Sequence, residues 1–208
     1  MPGPGAGGPA VRHRPGCPPH RLVIVLRFLP AADAPAVRRV FGGAAATFLG
    51  RSAMTAQEAE EYVVRAREWA AADPVEQYIL GVDVAGDLAG VVKLGHRPDG
   101  HGRVSYVLRE DRWGQGHATR AVKELVTFAF TTAGLDSLGA EHHPDNPASG
   151  RVLAKAGFTR VGVLNGLIEY RLTPGRESTR PTLSGRWPGG SPGLGGAGQQ
   201  GHRAGQVA

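Results

Sequence analysis

Trp113-Gly114-Gln115-Gly116-His117-Ala118-Thr119 is the stretch on which the fold turns. Before it, Gly102–Leu108 reads as a short strand; after it, Ala118, Ala121, Val122, Leu125, Val126 and Ala129 recur at helical intervals. The two glycines therefore sit in a strand-to-helix turn. Glycine there lets the backbone come close to a ligand and leaves N–H groups pointing outward. With the positive end of a helix dipole behind them, such donors suit a pyrophosphate. The stretch is not a P-loop, because no Gly-Lys-Ser/Thr closes it, and its Gly-x-Gly-x-Ala spacing is not the dinucleotide fingerprint. A plain tight turn would use the same glycines, so these residues alone leave both readings open.

Working outward, the periodicities alternate. Arg21–Phe28 is β-rich, and Asp33 is placed to cap a short helix with Pro35 in its first turn. Thr55-Ala56-Gln57-Glu58 has capping-box spacing and opens an amphipathic helix that should end near Asp73-Pro74. Gln77–Val84 and Leu88–Leu94 read as strands joined by Ala85-Gly86-Asp87. Beyond the glycine turn come a short strand, Leu138–His142, and a helix capped by Asn146 with Pro147 at its first position and Gly157 at its end. Phe158–Leu164 and Leu167–Leu172 flank Asn165-Gly166, a two-residue hairpin signal. The order β-α-α-β-β-β-α-β-α-β-β predicts a mixed α/β fold.

Composition bounds the rest. The 208 residues include 32 Gly and 16 Pro, too many for one uniformly packed fold. They concentrate at the ends: residues 1–20 and 174–208 have no apolar face to bury, so both are expected to be disordered tails around a domain at 21–173. The formal charge of +6 is concentrated there too. Arg12 and Arg14 face no acid in the first tail, and Arg176, Arg180, Arg186 and Arg203 face only Glu177 in the second. A folded nucleic-acid surface is thus disfavoured, and only weak phosphate binding by the tails is left. The longest purely apolar run, Leu22–Leu26, is far too short to span a bilayer, and no secretory leader is expected. A single cysteine, Cys17, excludes an internal disulfide and fits a reducing cytoplasm.

About 30 residues after the glycine turn stands Asn146-Pro147-Ala148-Ser149-Gly150-Arg151-Val152-Leu153-Ala154-Lys155-Ala156-Gly157-Phe158. Together the two segments resemble the Gcn5-related N-acetyltransferase (GNAT) superfamily, in the form of its ribosomal-protein N-terminal acetyltransferase (RimJ/RimL) branch. Leu26-Arg27-Phe28-Leu29-Pro30-Ala31-Ala32-Asp33-Ala34 is similar to that branch's first strand and turn. The resemblance covers nearly all of 21–173. It implies a central, mostly antiparallel sheet with one splayed parallel pair, here Gly102–Leu108 and Leu138–His142, flanked by about four helices. It also implies transfer of an acetyl group from acetyl-CoA to a primary amine in a ternary complex. By that resemblance the amides of Gly114, Gln115, Gly116, His117, Ala118 and Thr119 hold the pyrophosphate. Backbone N–H near Val107 and Leu108 polarises the thioester carbonyl, and Asn146, besides capping its helix, reaches the pantetheine arm. Ser149 matches the branch's hydroxyl near the thioester sulfur and is the candidate proton donor or thiolate partner. Trp113 is expected to pack under the loop.

The base is less direct. Where many relatives carry a glutamate near the start of the central strand, this chain has Arg103, which takes no proton at neutral pH. Glu141 on the facing strand is the substitute, with His142 next and a water chain equal to them for an α-amine. His142-His143 with Asp145 makes a poor metal chelate, since neighbouring strand residues point to opposite faces, and no metal is expected. The acceptor is a protein N-terminus or a small amine, and the chain is expected to be a monomer or homodimer. The competing classes are a CoA-binding module without turnover, marked by Arg103, and a weak nucleic-acid binder through the tails.

Overall fold

The computed structural model describes residues 23–97 and 99–175. The proposed tails, with Cys17, lie outside the described residues apart from Pro174 and Gly175. β1 (Ile24–Arg27) is followed by three helices, α1 (Ala34–Val40), α2 (Gly43–Phe48) and α3 (Ala56–Ala71). Then come β2 (Gln77–Val84), β3 (Asp87–His96) and β4 (His101–Leu108), and after the glycine turn α4 (His117–Thr131). β5 (Ser137–His142), α5 (Pro147–Lys155), β6 (Thr159–Leu164) and β7 (Leu167–Leu172) complete the domain. Two 3-10 turns, Ala31–Asp33 and Glu110–Arg112, lead into α1 and the glycine turn.

One seven-stranded sheet, ordered β1-β2-β3-β4-β5-β7-β6, carries everything. All its pairings are antiparallel except β4 with β5. On one face α4 buries Ala121, Val122, Leu125 and Ala129 against Val92, Leu94, Val104 and Leu138, and Leu153 of α5 joins them. Burying a leucine of this kind stabilises the fold by about 2–3 kcal/mol. On the opposite face Val37 and Val40 of α1 and Ala59, Val63 and Ala66 of α3 pack on Ile79, Leu88 and Val91. The packing of α1 and α3 falls mainly on β3 and β2, and Val107 of β4 also packs against this second layer.

Local signals act as their chemistry requires. Thr55 and Glu58 form the reciprocal capping box, with Glu58 N–H donating to Thr55 Oγ1 at 3.2 Å and Thr55 N–H to Glu58 Oε2 at 2.7 Å. Asn165 and Gly166 take φ of 51° and 81°, as a type I′ hairpin demands. Asp33 departs from expectation. It makes no side-chain cap, because Arg27 draws its carboxylate away at 2.5 Å. The order also contains an extra helix, α2: Gly-Ala-Ala-Ala-Thr-Phe has no apolar periodicity to announce it, and only small Ala45 and Ala46 are buried.

Candidate functional site

The parallel pair is joined only at its base. β4 and β5 pair through His101–Ser137, Gly102–Leu138 and Arg103–Gly139, and then separate while each strand continues. Arg109 N–H donates to Ala89 O of the β3 side at 2.9 Å. Peptide groups alternate along a strand, so Val107 N–H also points at β3, whereas Tyr106 and Leu108 N–H point into the gap. Of the two amides expected there, that of Leu108 faces the gap and that of Val107 faces β3; Val107 itself lines the cleft.

The gap opens into a cleft of about 370 Å³. Its floor is Tyr106–Leu108, one end is the glycine turn, and a side is the first turn of α5 with Asn146, Ala148 and Ser149. Ala45, Phe48 and Leu49, in and just after α2, form the other wall, and Arg112, Arg151 and Lys155 add positive charge. Gly114 and Gly116 have φ of 72° and 78°, and a Cβ on either would meet nothing within 4 Å. The space over this turn is therefore open, and the helix behind it begins with Arg120 N–H bonded to Gly116 O. The amides of His117, Ala118 and Thr119 precede that first bond and are helix-terminal donors.

Side-chain hydrogen bonds brace the turn. Gln115 Nε2 donates to Asp111 O at 2.9 Å while its Oε1 meets His117 Nε2 at 3.1 Å, and His117 is buried with Nδ1 unpartnered. Burial, then the charges of Arg112 and Arg120, lower the His117 pKa. Trp113 does not pack under the loop. It is 41% exposed, its ring lies 5.9 Å from that of Phe48, and its Nε1 donates to Leu108 O at 2.8 Å. The indole thereby occupies the last carbonyl of β4. Asp87, bridged by Arg109 at 2.8 Å and by Arg112, ties the approach to this turn to β3, and the two guanidiniums hold its carboxyl below the usual range.

Asn146 caps α5 by accepting Ser149 N–H at 3.2 Å, and it also lines the cleft. Ser149 is buried, and its Oγ lies 2.6 Å from Tyr106 Oη, which also donates to Ser149 O at 3.0 Å. Burial pushes the Tyr106 phenol up to about 12. Tyr106 was not anticipated. Its partner is 43 residues away, and only the docking of α5 over β4 brings the two hydroxyls together.

Glu141 and His142 stand on opposite faces of β5. Glu141 is on the α1/α3 face, largely buried and ion-paired with Arg103. Arg103 thus occupies the carboxylate proposed as base. His142 is buried beneath α5, its Nδ1 donating to His143 O at 2.8 Å and its Nε2 without a partner. A Cβ on Gly150 would lie 2.6 Å from that Nε2, so α5 seals the ring from the cleft side. His143 faces out, 3.4 Å from Asp145. Among the described residues no group of three or more His, Cys, Asp or Glu is arranged to hold a metal, and no helix is long and apolar enough to cross a membrane. The fold thus gathers Val107, Leu108, Gly114, Gly116–Thr119, Asn146 and Ser149 around one cleft, whereas Gln115 and Glu141 do not line it.

Three comparisons bear on this arrangement. An N-acetyltransferase of Bacillus subtilis (strain 168), YoaA, itself uncharacterized, is 34% identical over 71 residues, 34% of this chain and 40% of that protein. The match spans about two-fifths of the length of the curated relatives. Among solved structures, RimL, a ribosomal α-N-protein acetyltransferase in complex with coenzyme A, superposes with a TM-score of 0.64 at 18% identity, covering 75% of this chain and 96% of RimL. Spermidine N-acetyltransferase from Vibrio cholerae, in complex with CoA and spermine, gives 0.62 at 16% identity, over 72% and 95%. At such identities these two share the fold. Residues 24–159 match the model of the acetyltransferase (GNAT) domain, and on that match, with the splayed strands and glycine turn in place, the chain belongs to the GNAT acetyltransferase family.

Proposed function

We propose that this protein transfers an acetyl group from acetyl-CoA directly to a primary amine, a protein N-terminus or a small molecule, in the manner of the RimJ/RimL branch. The observation that carries the reading is the gap above Arg103 and Gly139, which leaves Tyr106 and Leu108 N–H unpaired beside an open glycine turn. Backbone donors inside a sheet need partners, and an extended amide-bearing arm laid along β4 supplies them. The amides of His117, Ala118 and Thr119 with Gly114 and Gly116 would hold the pyrophosphate, and Asn146 the arm. Acetyl-CoA supplies the activated thioester.

The chain's own groups then divide the work. Leu108 N–H is the donor for the carbonyl oxygen as charge develops on it. Ser149 Oγ–H is the partner of the departing sulfur, and the single Tyr106 hydroxyl proton, directed at Ser149 O in the empty site, turns to Ser149 Oγ to leave the serine's own proton for the cleft. Since a thiol has a pKa near 8.5 and the Tyr106 phenol stands at about 12, neither hydroxyl surrenders a proton to the thiolate, and Ser149 stabilises it by a hydrogen bond. The proton that makes the free thiol comes from the acceptor nitrogen. As the C–N bond forms and the C–S bond breaks, that nitrogen loses its proton to Glu141 or solvent, and the sulfur takes one up. Thiol release, measured with acetyl-CoA across a panel of amines, tests the reading: turnover with at least one amine, reduced in Ser149→Ala, is expected. Acetyl-CoA binding with no turnover on any amine would contradict it.

A further inference from the structure

Four polar residues line up across the sheet on the face that carries α1 and α3, running from Lys93, against Tyr62 of α3, towards the strands beyond those helices. Lys93 of β3 is directly opposite Ser105 of β4. Arg103 is the last residue of β4 paired with β5, at Gly139, so two residues further along these parallel strands Ser105 stands level with Glu141 across the gap. Glu141 in turn is directly opposite Glu169 of β7. The row reads Lys93, Ser105, gap, Glu141, Glu169, and the ion pair of Arg103 with Glu141 confirms the shared face.

The two ends of the row differ in kind. Glu141 and Glu169 are like charges in register, which repel unless a cation lies near, and Arg103 supplies one positive charge for the two. Lys93 is the converse. Its ammonium lies 5.8 Å from the Tyr62 ring centroid, and among the described residues it has no carboxylate within ion-pair distance. The hydroxyl of the same Tyr62 is buried without a partner. A largely buried ammonium without a counter-ion is costly; burial, and then Arg51, push its pKa down. An anion delivered by a ligand would complete this end.

Resting on the acetyltransferase reading, we propose that Lys93 and Ser105 dock a carboxylate carried by the acceptor, so that the substrate is an amino acid or acidic peptide terminus with its amine at the gap and its carboxylate on the β3 side. With strands about 4.8 Å apart, the gap and the Lys93 strand are separated by roughly 5–10 Å, the span between the amine and carboxylate of a short ω-amino acid or of an N-terminal residue followed by an acidic one.

The test uses the full chain, acetyl-CoA and two matched pairs: 4-aminobutyrate against 4-aminobutyramide, and Ala-Glu amide against Ala-Gln amide. The acid member of one pair at least is expected to be favoured by about tenfold or more in kcat/KM, and which pair responds separates a small amino acid from a peptide terminus. In Lys93→Met the preference should fall to about one, chiefly through KM, and Lys93→Arg should restore part of it. Glutarate alone, an anion without an amine, should raise the thermal midpoint of the wild type and not of Lys93→Met. No preference in either pair, or one that survives Lys93→Met, overturns the anion site. The acetyl-CoA-induced midpoint shift, recorded on both proteins, separates the two levels: its presence with no carboxylate preference contradicts the Lys93 proposal alone, and its absence in the wild type overturns the acetyl-CoA reading with it.

Discussion

β4 has two neighbours and treats them differently. Against β3 it is paired along its whole length, from His96–Gly102 to Gly90–Leu108, so closely that a Cβ on Gly90 would stand 2.4 Å from Val107 O. Against β5 it is paired for three residues and then open. The closed side is a folding device, in which each peptide group finds its partner within the chain. The open side leaves strand donors without an internal partner in the middle of a sheet, an arrangement that a bound ligand would complete. Glycine shows the same contrast: Gly90 is required because the protein is too near, whereas Gly116 keeps open a space the protein does not fill.

The sharpest way to break the comparison is Gly116→Glu. At φ 78° a side chain costs about 1 kcal/mol or more in strain, and a carboxylate at a helix N-terminus would repel a pyrophosphate. Loss of acetyl-CoA binding by at least a hundredfold in calorimetry is expected. Gly86→Glu, at φ 84° and equally unobstructed but in the β2–β3 turn, carries the same strain and should bind normally. On the closed side Gly90→Ala should destabilise by about 2–4 kcal/mol in urea unfolding, because backbone atoms of β4 must shift. Ser149→Ala should lower kcat about 10–100-fold, the worth of a hydrogen bond to a charged group, with the acetyl-CoA Kd little changed. Tyr106→Phe, one step removed, should cost about 3–10-fold. Trp113→Phe, which frees Leu108 O, should lose about 1 kcal/mol of stability.

The smallest effect is in pH. The lowered pKa of His117 means the unfolded state binds more protons than the native one below about 6.5. Its contribution is therefore present above that pH and lost as pH falls towards the lowered value. The thermal midpoint should decline from pH 7 to 5, and less steeply in His117→Gln.

What was legible in the sequence was what depends on neighbours along the chain. The capping box at Thr55, the Asn146 cap, the Asn165-Gly166 hairpin and the glycine turn each announce themselves within a few residues. The strand pair expected to splay is the one that separates. What escaped was set by tertiary placement. Asp33 was drawn from its cap by Arg27, Trp113 turned outward to Leu108 O, and Val107 N–H was claimed by the β3 side through strand alternation. Tyr106 met Ser149 only after α5 docked, and Arg103 marked the missing carboxylate without revealing that it would grip Glu141. α2 was invisible because alanines bury too little to set a period.

The central claim is that the open side of β4 and the glycine turn are built for acetyl-CoA. Thermal unfolding of the full chain with and without acetyl-CoA tests it most directly. At about a hundredfold excess over Kd, binding adds about 2.7 kcal/mol, and for a domain of this size the midpoint should rise by roughly 5–10 °C, with no rise in Gly116→Glu. An unchanged midpoint in the folded wild-type protein, or an equal rise in Gly116→Glu, would contradict it.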